Sequence, residues 1–309
     1  MKIQRVASKW AKTRALLANP SLSTYIPDTR QYSFGALDDM LVQYGTVYIK
    51  PDRGTYGKGV MRVESRTIQS AEELSPGADT SGADSPAAQT VYILRHGQTA
   101  RSFIALEPLH QAIERRMQGH LYLIQKGIAL LTHRNRPFDL RVLTQQTPSG
   151  RWETTGMLSR VAAANKIVTN YHNGGSILSV EEVLNEYTKT RREFESLENE
   201  LAALGIRIAR QLERHYPGIK EVGLDVALDE ELHPWLLEVN TLPSIAVFKL
   251  FPDKSIYRKI HRYAEAYGRV GRAKTSLSRR KPLLRSSASS TRRPARRRAF
   301  TSKSLRSAP

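Results

Sequence analysis

The sequence predicts an α+β protein built largely on antiparallel sheets. Three observations carry that prediction. Strand-like and helix-like segments follow one another irregularly, without a repeating βαβ unit. Two long runs, "FDLRVLTQQT" and "RWETTGMLSRVA", are joined by "TPSGR", a turn between antiparallel strands. Residues 221–244, "EVGLDVALDEELHPWLLEVNTLPS", hold two apolar runs that fold back through the acidic, proline-containing "LDEELHP". With 309 residues and 40% hydrophobic content the chain can bury a substantial core, as one large domain or two smaller ones.

Taken in order, the segment 8–19 has a helical pattern with Trp10, Ala15, Leu16 and Leu17 as its apolar positions. "YIPDTRQYSF" reads as a proline-marked loop, and "ALDDMLVQYG" as a short helix closed by Gly45. "TVYIKP" is a strand ended by proline, and the loop "DRGTYGKG" leads into a second strand, "VMRVE". The Ser/Ala/Gly/Pro/Asp-rich residues 69–90 form a flexible insertion. A strand "VYILRH", a helix across 105–118 and a strand "LYLIQKGIAL" come next. After the two long strands and "NYHNGGSI", the stretch from "SVEEVL" to "RQLERHY" is helical, with Ser179 and Glu182 at capping-box spacing. The acidic hairpin follows, and then a short helix around 255–267.

The net charge of +19 divides unevenly. Residues 269–309 carry 14 Lys/Arg and no acidic residue, which leaves 34 basic against 29 acidic residues in 1–268. This Ser-, Arg- and Pro-rich tail reads as disordered. It can either contact RNA, DNA or another polyanion through phosphates or remain solvated without a partner. The chain has no cysteine, so disulfides, thiolate chemistry and Cys-based zinc sites are excluded. The first residues lack an apolar core of signal-peptide length and no run approaches a membrane span, so the expected location is cytoplasmic and no membrane partner is expected.

Side chains alternate along a strand, so Glu238 and Asn240 share a face, and the turn brings Asp225 opposite them. Three oxygen donors on one sheet face suit Mg²⁺ or Mn²⁺. The polar face of an amphipathic hairpin explains the same pattern, and spacing alone leaves both readings open. In "VYIKPDRGTYGKGVMRVE", Lys50 ends a strand and Gly54, Gly57 and Gly59 allow backbone N–H groups to approach a polyphosphate, with Lys58 adding charge. The stretch is not a P-loop, and a tight turn is the more common explanation of such glycines. "FDLRVL" places Asp139 and Arg141 on one face, Arg160 lies on the next strand, and "TNYHNGG" supplies Asn170 and Asn173. Together with the glycine loop and the acidic hairpin, these groups suit a metal–triphosphate.

The ordered set "YIPDT", "KPDRGTYGKGV", "IQKGIAL", "FDLRVL", "NGGS" and "GLDVALD…PWLLEVNTLPS" resembles the ATP-grasp superfamily, and more closely the YheC/YheD family of endospore coat-associated proteins, from about Ser8 to residue 267. The resemblance implies an ATP-grasp fold, in which two α/β subdomains with largely antiparallel sheets grip ATP between them. It divides the chain into an N-terminal helical lead-in (1–45), a subdomain with a glycine-rich flap (46–128), a subdomain with the metal-binding hairpin (129–268) and the basic tail (269–309). Only about 45 residues precede the Lys50 strand, so the N-terminal domain common in such ligases is expected to be truncated.

By resemblance, Lys50 contacts the ATP phosphates and Gly54, Gly57, Lys58 and Gly59 belong to the flap over them. Gln125, Lys126, Gly127 and Ile128 form the hinge that holds adenine, with Lys9 as a second phosphate lysine and Asn173 as a further ATP contact. Arg141 and Arg160 stabilise the transferring phosphoryl group as catalytic residues, and Asp225, Glu238 and Asn240 are the metal ligands. The implied activity is ATP-dependent carboxylate–amine ligation through an acyl phosphate, using ATP and Mg²⁺ or Mn²⁺ on unidentified carboxylate and amine substrates, in association with spore-coat proteins. Two alternatives stand beside it: a non-catalytic nucleotide-binding scaffold of the spore coat, and a polyanion- or nucleic-acid-binding protein acting through its tail.

Overall fold

The computed structural model describes residues 3–54, 57–68, 89–163, 175–251 and 253–271, all within one compact unit, Met1–Gly271. Most of the expected insertion, most of the basic tail, and Asn170 and Asn173 lie outside the described residues.

Two antiparallel sheets organise the described chain. The first joins β1 (Thr29–Gln31), β2 (Thr46–Pro51), β3 (Met61–Ile68), β4 (Gln89–His96), β5 (Thr99–Phe103) and β6 (Tyr122–Lys126) in the order β1-β6-β2-β3-β4-β5. Helices α3 (Phe34–Tyr44) and α4 (Leu106–Met117) cover it. Leu37, Met40 and Leu41 from α3 and Leu109, Ala112 and Ile113 from α4 meet Val47, Ile49, Met61 and Val63 in one core. Gly45 ends α3 in the left-handed conformation (φ +67°), as expected for a glycine cap.

The second sheet orders β8 (Arg136–Gln146), β9 (Trp152–Val161), β10 (Ser176–Leu178), β11 (Glu221–Leu228) and β12 (Pro234–Asn240) as β10-β9-β8-β11-β12, with the short β7 (Thr132–His133) paired to β8. Both faces of this sheet are covered. The long helix α6 (Arg191–His215) packs Leu201, Leu204 and Ile208 against Leu140, Val142, Val222 and Leu224. On the opposite face, a 3-10 helix (Ala246–Leu250) and α7 (Lys254–Ala266) bring Phe248, Ile260 and Ala264 onto Leu143 and Leu158. Double coverage explains why β11 is buried at every position, where a sheet with one solvated face would alternate.

Residues 9–31 are shared between the two layers. Ala15 and Leu16 of α1 (Lys9–Leu17) and Leu22 of α2 (Pro20–Ser23) enter the core beneath α6, whereas β1 pairs with β6 of the first sheet. Arg269 is also tied into the fold: it meets the fully buried Glu221 and donates to the Pro243 carbonyl at 2.6 Å.

The structure departs from the sequence reading in several elements. The stretch expected as one helix from 179 is two, α5 (Val180–Leu184) and α6. Ser179 caps α5 by accepting from the Glu182 N–H at 2.9 Å, and a complete capping box at Thr190 and Glu193 starts α6. "LYLIQKGIAL" is a strand only to Lys126. At Gly127 the backbone crosses so close to β2 that a Cβ would lie 2.7 Å from Thr46 Cγ2, and its N–H donates to the Thr46 carbonyl at 2.8 Å. "DTRQ", expected within a loop, contributes β1, and Gln89 and Thr90, expected in the insertion, open β4.

Gly205 marks the closest approach of α6 to its sheet. An added Cβ would stand 2.3 Å from Thr144 Oγ1, which itself bonds Thr154 Oγ1 at 3.0 Å. In an isolated helix alanine is favoured over glycine by about 1 kcal/mol. Here overpacking reverses the sign, and Gly205→Ala is expected to destabilise the protein by roughly 1–3 kcal/mol in urea unfolding. A gain in stability would mean that α6 has room to lift from the sheet.

Candidate functional site

The site is built where the edge hairpin of the second sheet faces the end of the first. Registers set its layout: Asp139 stands opposite Arg160, Arg141 opposite Asp225, Asp225 opposite Glu238, and Gly223 opposite Asn240. Neighbouring strands β9, β8, β11 and β12 thus carry a row of charged side chains, with two arginines and three carboxylates among them. The hairpin predicted from "LDEELHP" closes through residues 229–233, where Asp229 Oδ1 accepts from the His233 N–H at 2.8 Å. A register shift beside Asp225 adds Leu237 to β12, so that Leu237 and Glu238 both line the cleft.

Asp225 is the hub of this row. Its Oδ1 receives Arg141 Nε at 2.7 Å and Nη2 at 2.6 Å, and its Oδ2 lies 3.1 Å from Arg160 Nη2. Arg160 also forms a two-pronged contact with Asp139, through Nε at 2.8 Å and Nη2 at 2.5 Å. All four side chains are buried. Burial pushes the Asp225 carboxyl up, but Arg141 and Arg160 outweigh it and hold the group below the usual carboxylate range. Glu238 is more open and makes one long contact, 3.6 Å to Lys9 Nζ.

The second half of the site comes from α1 and β2. Buried Asp52, just beyond β2, pins the start of α1: its Oδ1 accepts from Ser8 Oγ at 2.9 Å and from the Trp10 N–H at 2.8 Å. The Lys9 N–H donates to the Asp52 carbonyl at 2.9 Å. Lys9 thereby reaches both Glu238 and the Gly54 carbonyl, the latter at 3.2 Å. Lys50 donates to Gln125 Oε1 at 2.6 Å, and Gln125 Nε2 donates to Thr29 Oγ1 at 2.9 Å. Burial lowers the Lys50 pKa to about 8, with Glu238 opposing the shift.

Two cavities meet at this junction. The smaller, about 120 Å³, is lined by Lys50, Lys58, Gln125, Lys126 and Ile128. The larger, about 590 Å³, is lined by Arg5, Lys12, Arg141, Asn240, Thr241 and Lys249, among others. Gly54, Gly57, Arg160, Asp225 and Glu238 line both. Gly57 and Gly59 adopt left-handed backbone at the turn leading into β3.

The structure brings most residues singled out in the sequence to the lining of these two cavities; Gly59 and Gly127 lie outside both linings, and Asn170 and Asn173 are outside the described residues. At the hinge, the Lys126 N–H donates to the Asp28 carbonyl at 2.9 Å and the Gly127 N–H to Thr46, so neither is free to read a base edge. Lys126 Nζ lies over the rings of Tyr44, at 5.3 Å, and Trp235, at 5.1 Å, linking the first sheet to β12. Sequence reasoning missed Asp52 and Lys12. Asp52 lies within "KPDRGTYGKGV", but its role, like that of Lys12, depends on where α1 lands.

Two carboxylates and a carboxamide, Asp225, Glu238 and Asn240, are hard oxygen donors of the kind Mg²⁺ takes. Asp225 retains acceptor capacity, because a carboxylate offers about four lone-pair sites. Among the described residues no group of three His, Cys, Asp or Glu could form an all-protein metal cage. No helix among the described residues is long and apolar enough to cross a membrane.

The family model described as "YheC/D like ATP-grasp" matches residues 3–270. Two curated relatives come from Bacillus subtilis strain 168. Endospore coat-associated protein YheD is 25% identical over 78% of this chain and 49% of its own length, and endospore coat-associated protein YheC is 20% identical over 80% of this chain and 62% of its own. The chain thus spans about half the length of the first relative and under two thirds of the second. Among solved structures, D-alanyl-alanine synthetase A from Vibrio cholerae matches with a TM-score of 0.46 at 12% identity, over 84% of this chain and 63% of its own. The ADP complex of N5-carboxyaminoimidazole ribonucleotide synthetase matches with a TM-score of 0.42 at 9% identity, over 77% and 45%.

Proposed function

This chain belongs to the YheC/D-like ATP-grasp family, and on that premise we propose that it binds ATP with Mg²⁺ between its two sheets and ligates a carboxylate to an amine. The observation that carries the proposal is the meeting of the two cavities at Arg160, Asp225 and Glu238. The smaller takes the nucleotide, with Lys50, Lys9 and Lys58 toward the phosphates and Gln125–Ile128 beside the base. The larger takes the acceptor, and the shared residues flank the phosphoryl group in transit.

In the proposed reaction a carboxylate oxygen of the substrate attacks the γ-phosphorus. The bond to the β,γ-bridging oxygen breaks, and ADP leaves with that electron pair. The amine nitrogen then attacks the acyl carbon, the carbon–oxygen bond to phosphate breaks, and phosphate departs while the nitrogen loses a proton to solvent. No side-chain nucleophile is needed, which agrees with a chain lacking cysteine. Arg141 and Arg160, held rigid by Asp139 and Asp225, offer their remaining N–H donors to the transferring group with little reorganisation. Asp225, Glu238 and Asn240 would hold Mg²⁺, and the ion would supply positive charge against that developing on the phosphoryl group.

Association with the endospore coat enters this proposal from the names of the two relatives. Calorimetric titration tests the nucleotide part directly. ATP is expected to bind more tightly with Mg²⁺ than with EDTA, and Glu238→Gln is expected to abolish that difference in a folded protein. An unchanged Mg²⁺ dependence would remove Glu238 from the ligand set. ATP binding without ADP release across amino acids, peptides and polyamines would leave a nucleotide-binding scaffold as the better description.

A further inference from the structure

Lys12 has the surroundings of a ligand contact, yet no sequence motif points to it. It is 5% exposed, and its side-chain ammonium forms no hydrogen bond or ion pair with any described residue. The other buried charged groups among the described residues are matched: Asp52 by Ser8 and Trp10, Glu64 by three arginines, Asp139 and Asp225 by Arg160 and Arg141, and Glu221 by Arg269. A buried cation without a counter-ion is costly. Burial lowers its pKa to about 8, with Glu238 pulling the other way.

Position gives the cost a purpose. Lys9 and Lys12 are three residues apart on α1 and share a helix face. Lys9 lines the smaller cavity and Lys12 the larger, and both border a recess of about 30 Å³ beside Lys50 and Glu238, so Lys12 is the one of the two that reaches the larger cavity. The larger cavity also carries Arg5, Arg141, Arg160 and Lys249, giving five cations against the two carboxylates Asp225 and Glu238. Asp225 is already matched by Arg141 and Arg160, so the surplus positive charge faces the cavity at Lys12, Arg5 and Lys249.

We propose that the larger cavity takes a substrate with at least two acid groups, one presented at the junction for phosphorylation and the other held by Lys12. The proposal rests on the nucleotide reading above for the identity of the junction. A monocarboxylate would leave Lys12 buried and unmatched, whereas a diacid supplies its missing counter-charge. Lys12 is here a positioning and specificity residue, remote from the bonds that change.

Isotopic reductive methylation of the full-length wild-type chain, read lysine by lysine by peptide mass spectrometry, tests this without an unfolding variant. The small aldehyde reaches a lysine lining an open cavity, so Lys12 is expected to be modified in the free protein. Succinate, glutarate, L-glutamate and citrate are compared with butyrate at equal ionic strength, with MgATP in a separate arm. At least one diacid is expected to slow modification of Lys12 by a factor of about 1 + [L]/Kd, with butyrate ineffective. MgATP is expected to slow Lys50 and spare Lys12. Equal protection by butyrate, no protection by any acid, or protection of Lys12 by MgATP alone would overturn the proposal. If MgATP protects neither Lys9 nor Lys50, the nucleotide reading fails, while diacid protection of Lys12 would still establish an acid-binding cavity.

Discussion

Asp225→Asn is expected to cost about 3–5 kcal/mol of stability, because it removes the shared counter-charge of two buried guanidiniums. The substitution keeps volume and shape, so packing is not at issue. Arg141 loses its anionic partner, and Arg160 is left with Asp139 as its carboxylate partner. One carboxylate then faces two largely buried cations. For a folded unit of this size the midpoint of thermal unfolding should fall on the order of 10 °C. Glu238→Gln is the matched control on the facing strand. Its carboxylate is 29% exposed and has only the 3.6 Å contact with Lys9, so its loss should change stability by no more than about 1 kcal/mol. Thermal melts of the two proteins side by side distinguish a framework carboxylate from an open one. Equal, small losses would show that Arg141 and Arg160 find other partners and that Asp225 does not hold the row together.

This coupling also explains which parts of the site could be read along the chain. Asp225, Glu238 and Asn240 are legible because both strands of the hairpin are local and their period of two fixes the faces. The pairing of Asp139 with Arg160 depends on the local turn between β8 and β9 and on one register shift at Leu143/Thr144, and both residues stood out in the sequence. Lys12 and Asp52 were not legible, because neither has meaning until α1 is docked on the loop after β2. The same holds for β1: three residues, Thr29–Gln31, carry no strand pattern and become a strand by pairing with β6 across 96 positions of sequence at Thr29 and Gln125. Buried Thr144, Gln145 and Gln146 look like a solvated strand end. They are internal because both faces are covered: Thr144 meets Gly205 and Gln146 bonds Glu213, both on α6, while Gln145 turns to the α7 side and bonds Tyr267. The split of the long helical stretch was visible in principle, since Thr190 and Glu193 have the same capping spacing as Ser179 and Glu182.

Lys50→Ala is expected to weaken ATP binding by roughly 10- to 100-fold, the loss of one charge-assisted phosphate contact of about 1.5–3 kcal/mol. The backbone of Lys50 is fixed by β2, paired with β6 at Leu123, and its side chain is half-buried in the smaller cavity. Its ammonium is aimed before any ligand arrives, through the 2.6 Å bond to Gln125, which is itself held by Thr29. A phosphate replacing or sharing that bond therefore gains a cation that has already given up its hydration and rotamer freedom. Lys58 lines the same cavity but is exposed, between two glycines in left-handed backbone. Its charge is screened by water and its side chain must be ordered on binding, so Lys58→Ala should lose less affinity. If the glycine stretch is an ordinary hairpin turn and Lys50 only a partner for Gln125, both variants should bind ATP as the wild type does. Nucleotide titration of the two purified proteins separates the readings, and a Lys58 effect larger than that of Lys50 would place the phosphates at the loop and away from the strand.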